Sequence, residues 1–257
     1  MKKTHIEELT EPKLTYPILI EGLPGMGMVG KITTQHLIKQ LAAKRIAFLY
    51  SPHFPYYVLV NTKGTVRLLR GEFFCWRNQP GKNDLIFLTG DGQAQTIEGQ
   101  YAVARCILDF AEKHAVKQIV TIGGYRNKVE KEPSVIAVSN NQRLLNASLR
   151  AEAITSSEGN PIVGTAGLLL GLAKFRKIDA IGLLGETAGY LPDPLAAKSV
   201  AKVLLKMLQI TVDLRELDKE IEKSKGLLKR MQELEERREE YAQRMSRVDY
   251  EKTTYIS

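Results

Sequence analysis

Nine residues, Gly22-Leu23-Pro24-Gly25-Met26-Gly27-Met28-Val29-Gly30, restrict the fold of this chain more than any other stretch. The apolar run Ile18-Leu19-Ile20 enters them through Glu21, and Met28, Val29, Ile32, Leu37, Ile38 and Leu41 leave them at the spacing of a helix with one buried face. The pattern is a buried strand, a tight glycine turn and a helix N-terminus. Such a turn presents backbone N–H groups to whatever lies above it. It serves either a small ligand or another polypeptide.

The unit repeats. Residues 44–50 return to the sheet and complete a β-α-β pattern whose strands, almost wholly apolar, are expected to be parallel and buried. Residues 84–89, 117–122 and 179–184 are further central strands. Each ends in a small polar loop, at Gly90-Asp91-Gly92-Gln93, Gly123-Gly124-Tyr125 and Gly185-Glu186-Thr187. Helices are expected over about 96–114, 140–149, up to 173, and 195–208, and Asp193 is placed to cap the last. Residues 57–61 and 65–70 read as a hairpin joined through Lys63-Gly64, attached as an antiparallel extension. The fold class is α/β. In open sheets of this kind, sites form beyond the carboxyl ends of the strands.

From Thr211 onward the composition changes. Leu214, Leu217, Ile221, Ser224, Leu228 and Met231 recur at alternating steps of three and four, a heptad-like seam. We therefore divide the chain into an α/β domain, 1–210, and a helical segment, 211–257, that pairs with another subunit or lies back across the domain; intersubunit pairing is favoured. The formal net charge is +8, and the surplus is confined to residues 1–210, where 26 Lys and Arg face 17 Asp and Glu. No aromatic-interleaved basic stripe accompanies it, so nucleic acid is not expected as a partner. Cys75 and Cys106 stand in no ligand spacing and read as thiols of a reducing compartment. With no run of 18 apolar residues and a polar start, the expected location is the cytoplasm, without membrane association.

The chemical motifs fail one by one. Gly25-Met26-Gly27-Met28-Val29-Gly30 spells the dinucleotide pattern, but the second strand ends in Phe48-Leu49-Tyr50-Ser51 without the acidic ribose partner. Lys31 follows Gly30 and is followed by Ile32, so a Walker A loop is excluded. Close strand-to-helix packing at Gly27 and Gly30 explains the glycines instead. Asp91, Glu98, Glu186 and Asp193 lie near strand ends and suit acid/base chemistry only if they converge. Caps and turns need the same residues. No histidine pair has ligand spacing and no serine has a defined base, so neither a catalytic set nor a cofactor is expected. Ser51-Pro52-His53-Phe54-Pro55-Tyr56-Tyr57 sets aromatics beside prolines, which suits a protein interface or packing against the helix after the first turn.

Taken in order, five stretches resemble the PAC2 family, the archaeal relatives of proteasome assembly chaperones. They are the Gly22–Gly30 core, Leu88-Thr89-Gly90-Asp91-Gly92-Gln93 followed by Ala94 where the family commonly has proline, Ile122-Gly123-Gly124-Tyr125, Ile162-Val163-Gly164-Thr165-Ala166-Gly167, and Gly185-Glu186-Thr187-Ala188-Gly189-Tyr190 with Pro192-Asp193-Pro194. The resemblance implies a three-layer α/β/α domain with a nucleoside-phosphorylase-like core, homo-oligomerisation, and a non-enzymatic role in assembling the proteasome α-ring. Partners would be copies of this chain, α subunits or a paralogous chaperone. Some members dock with a C-terminal hydrophobic–Tyr–any-residue tail. Here Tyr255 is third from last, so that pattern is not met and an adaptor is expected. The interface and loop candidates are Gly25, Gly27, Gly30, His53, Phe54, Tyr56, Asp91, Gln93, Glu186, Asp193, Leu217, Ile221, Leu228 and Met231. The alternative is a small-molecule enzyme or phosphate-binding protein using the glycine turns.

Overall fold

A computed structural model describes residues 1–127 and 132–226. Leu228 and Met231, and with them the second half of the heptad-like seam, lie outside the described residues. Among the described residues nine strands form one mixed sheet in the order β1-β3-β6-β7-β2-β8-β11-β9-β10. These are β1 (His5–Glu8), β2 (Ile18–Glu21), β3 (Lys44–Tyr50), β6 (Gly71–Trp76), β7 (Leu85–Gly90), β8 (Gln118–Arg126), β9 (Val135–Ser139), β10 (Ile154–Thr155) and β11 (Asp179–Thr187). β4 (Val58–Val60) and β5 (Val66–Leu68) pair only with each other.

β7, β2, β8 and β11 are mutually parallel and form the centre. Their residues are almost continuously buried, as strands covered on both faces must be. Helices α2 (Ile97–Lys113) and α4 (Gly164–Ala173) cover one face through Val103, Ile107, Leu169 and Ala173. Helices α1 (Val29–Gln40), α3 (Gln142–Arg150) and α5 (Pro194–Leu208) cover the other through Val29, Leu37, Leu144, Val200 and Leu204. The result is the expected three-layer α/β/α domain. Capping follows the sequence: Thr96, Asn141 and Asp193 accept from Gly99, Arg143 and Ala196 N–H groups at 3.1, 2.8 and 2.9 Å. Each cap stabilises its helix by about 1 kcal/mol.

One expectation is corrected. β3 is not a parallel, buried strand: it pairs antiparallel with β1 and β6, and Lys44 and Arg45 are exposed. Strands β6 and β7, antiparallel to each other, stand between it and β2. Its apolar run is half-covered near the edge of the sheet, where alternation rather than full burial suffices.

The C-terminal segment settles back onto its own domain as far as it is described. Residues 215–226 are helical. His36 Nε2 lies 2.8 Å from the carbonyl of Asp213, and Lys39 donates to Glu216 at 2.5 Å. Leu217 is 1% exposed and Ile221 7%. Those two side chains, expected at an intersubunit seam, are therefore occupied within the chain. An amphipathic stripe reads the same whichever surface covers it.

Candidate functional site

The four central strands bring their carboxyl ends to one edge, and the singled-out loops gather there. β2 and β7 are neighbours whose crossover helices, α1 and α2, leave to opposite faces. In doubly wound sheets the crevice at such a switch point holds the ligand.

Here protein fills that crevice. Gly22 donates its N–H to Leu88 at 2.8 Å, and Thr89 donates its hydroxyl to the Gly22 carbonyl. Gln93 then spans the gap. Its Nε2 donates to the Pro24 carbonyl at 2.7 Å, and its Oε1 accepts from the Thr165 N–H at 3.1 Å. One side chain thus joins the first glycine turn, the loop after β7 and the start of α4. The Thr165 N–H, one of those that the start of α4 could offer to an anion, is already bonded. Thr165 Oγ1 donates onward to Gln100, whose own amide reaches the Ala94 carbonyl.

The glycines divide by role. Gly27 has φ +59°, and a Cβ there would lie 2.7 Å from Thr187 Oγ1. Gly30 sits where α1 crosses β8, and its Cβ would lie 2.5 Å from the Ile122 carbonyl. Close packing explains both, as the sequence suggested. Gly25 is different, because only Gln93 approaches it, at 3.6 Å.

Three of the four carboxylates singled out in the sequence are committed to structural bonds. Asp91 receives Arg67 Nη1 at 2.5 Å and Nη2 at 3.0 Å, and also the Arg70 N–H at 3.0 Å. Burial pushes its carboxyl up, but the guanidinium and the backbone N–H outweigh that and hold it below the usual carboxylate range. Asp91 therefore bolts the β4–β5 hairpin to the rim. Glu186 receives Asn127 Nδ2 and the Ser134 N–H, so it braces the two ends of the β8–β9 loop. Asp193 caps α5 and accepts from the Thr187 hydroxyl at 2.7 Å. Glu98 lies in the first turn of α2. The thiol of Cys106 is pushed by burial up to about 11, which leaves it protonated near neutral pH.

The aromatic loop splits in two. Phe54 is buried in the core beside Leu69 and Ala94, so of the two readings of this loop it takes packing within the chain. His53 packs on the start of α2, not on the helix after the first turn: its ring lies against Gly99, and Nδ1 is 3.3 Å from Thr96 Oγ1. Tyr56 is 99% exposed.

The reading of residue types passed over Glu21. It closes β2, is 1% exposed, accepts from the Leu23 N–H at 2.9 Å, and leaves Oε2 without a partner. Burial pushes its carboxyl up to about 7. Thr121, its registered neighbour on β8, has a buried hydroxyl in the same condition. The available signal was a lone carboxylate ending an otherwise apolar strand. Among the described residues no group of three or more His, Cys, Asp or Glu is arranged to hold a metal ion, and no helix is long and apolar enough to cross a membrane.

The sequence and the fold have counterparts among known proteins. The chain is 32% identical over 220 residues to the uncharacterized protein MJ1210 of Methanocaldococcus jannaschii, covering 85% of this chain and 84% of that protein. It superposes on Pyrococcus furiosus PbaB, an archaeal proteasome activator, with a TM-score of 0.86 and 37% identity over 90% of this chain and 100% of that one. P. furiosus PbaA, an archaeal homolog of proteasome-assembly chaperone, matches with a TM-score of 0.74 and 29% identity, covering 98% and 100%. The PAC2 family profile matches residues 19–246. A strand-end rim closed by its own side chains, on a sheet shared with these relatives, belongs to a member of the PAC2 family.

Proposed function

We propose that this chain is a homo-oligomeric scaffold that assists assembly of the proteasome α-ring and catalyses no reaction. It binds α subunits directly or through a paralogous assembly chaperone. The observation that carries this reading is the closure of the switch-point crevice by Gln93, whose amide bonds the Pro24 carbonyl and the Thr165 N–H. A site for turnover keeps convergent polar groups open to substrate. Here Asp91, Glu186 and Asp193 serve the hairpin, a loop and a helix cap. An open, mostly apolar groove of about 320 Å³ lies beyond β11, lined by Ala188, Tyr190, Leu191 and Pro192 together with Ile221 of the C-terminal helix. It offers a protein segment more than it offers a polar metabolite. The mechanism is mass action: an oligomer presents repeated surfaces and raises the local concentration of α subunits.

A second reading has specific support in the likeness to PbaB, a proteasome activator. On that reading the chain engages the finished particle. One experiment separates the two. Archaeal α and β subunits are mixed with and without the chain, and both the rate of ring formation and the peptidase activity of preassembled proteasome are followed. Faster rings with unchanged peptidase activity support the scaffold. Higher peptidase activity with unchanged ring formation supports the activator. No effect on either, with no co-purification of α subunits, removes both.

A further inference from the structure

We propose that the outward face of the β4–β5 hairpin is a self-association surface, occupied by the same face of a second copy of this chain. The inference rests on the oligomeric part of the function proposed above and assigns it a place.

The register pairs Val58 with Leu68 and Val60 with Val66, so these four side chains share one face. All four are exposed, Val60 at 71% and Val66 at 61%, and the fully exposed Tyr56 stands at the entry to β4. These four side chains expose on the order of 400 Å², about half of one partner's share of a standard protein interface. A contiguous apolar patch of that size marks an interaction site.

The opposite face is fixed to the body. Leu59 packs against the main core, and Arg67, its registered partner, is held by Asp91. The outward face is thus a rigid platform, and little ordering entropy opposes its docking. It carries no charge, so an acidic or basic partner surface finds nothing to pair with. It needs a flat apolar surface of equal size, and a second hairpin is one. Pairing of like with like about a two-fold axis closes the contact and leaves no open chain of subunits.

The test uses the full chain. Native mass is measured by sedimentation for the wild type and for the double variant Val60→Glu/Val66→Glu, with circular dichroism as a folding check. Both positions are exposed, so the body of the monomer folds. Because Val60 and Val66 face each other across the ribbon, hydrogen exchange of the β4–β5 amides checks that the hairpin stays closed. Single Val60→Glu and Val66→Glu variants, which avoid that repulsion, are measured beside it. Like charges facing across the seam weaken association on the order of a hundredfold, and the mass falls by at least half. In parallel, Val66→Cys is oxidised, with the wild type as the background for Cys75 and Cys106. A covalent dimer joined at position 66 is expected. A wild type that is already monomeric overturns both this inference and the oligomeric scaffold. An oligomer that survives the double variant, with no dimer from Val66→Cys, overturns the hairpin alone and leaves the scaffold standing. Loss of cross-linking because residues 227–257 of the same chain cover the face, seen as protection of the hairpin amides in a monomer, also overturns it.

Discussion

The strand-end rim and the β4–β5 hairpin lie side by side and solve opposite problems. The rim is polar, yet Asp91, Glu186, Asp193 and the bridging glutamine are bonded within the chain. The hairpin is apolar, yet its outward valines are left to solvent. Rim groups already bonded within the chain have little left to offer a ligand. An apolar face left uncovered has every need of a partner. Function in this fold is thus read better from where burial is incomplete than from where chemically able side chains collect.

The rim breaks first if its packing is disturbed. In Gly30→Ala the new Cβ meets the Ile122 carbonyl at 2.5 Å, and neither the β8 backbone nor α1 can retreat alone. The expected loss is about 3 kcal/mol or more, at the top of the range for overpacked cores. Urea unfolding measures it. A loss under 1 kcal/mol would show that α1 is free to shift and that the rim is less rigid than the hydrogen bonds imply.

Glu21 tests the same rim by pH. Its carboxyl titrates near 4.5 when the chain is unfolded and at about 7 when folded. The folded state therefore holds the proton more tightly, so stability is greatest below the unfolded value. It falls as pH rises from about 4.5 through about 7, and is flat beyond. The span amounts to about 3 kcal/mol. Glu21→Gln keeps an acceptor for the Leu23 N–H but cannot ionise. Relative to the wild type it should be more stable above pH 7, with the difference vanishing toward pH 4. An equal difference at every pH would mean that Glu21 is not buried without a countercharge.

Much of this was legible in the residues and some was not. Apolar runs ending in glycine place the central strands, because burial on both faces demands that composition. Asp193 reads as a cap because its partner is three residues away. Strand order is not legible, since β2 pairs with β7 and β8, which lie far along the chain. Gln93 escapes for the same reason: Pro24 and Thr165 are 69 and 72 residues away from it. Asp91 shows the cost of judging by residue type. It stands where catalytic carboxylates stand, and it is a bolt. Leu217 and Ile221 show that periodicity reports a buried stripe without naming the surface that buries it.

Asp91 joins the two regions, so Asp91→Asn should separate them. The amide can no longer match the two guanidinium N–H groups of Arg67, and a charge-assisted pair is replaced by one neutral bond. We expect about 1.5 kcal/mol less protection for the β4–β5 amides in hydrogen exchange. The central strands should be unchanged. Equal loss in both would mean that the hairpin and rim open as one unit.

The smallest effect is the sharpest. Val66→Thr replaces a methyl by a hydroxyl without changing shape. At a buried position such as Val120, 0% exposed in the middle of β8, that change strands a hydroxyl and costs about 2 kcal/mol. At Val66, 61% exposed, the hydroxyl meets water and threonine suits a strand. Monomer stability measured at high dilution should move by less than about 0.5 kcal/mol. The same variant at high protein concentration should melt lower than the wild type, because a covered face that accepts a hydroxyl loses part of its apolar contact. Two melting curves at two concentrations thus distinguish a face that merely tolerates solvent from one shaped for a partner. Only the second makes the stability of the wild type depend on how much of it is present.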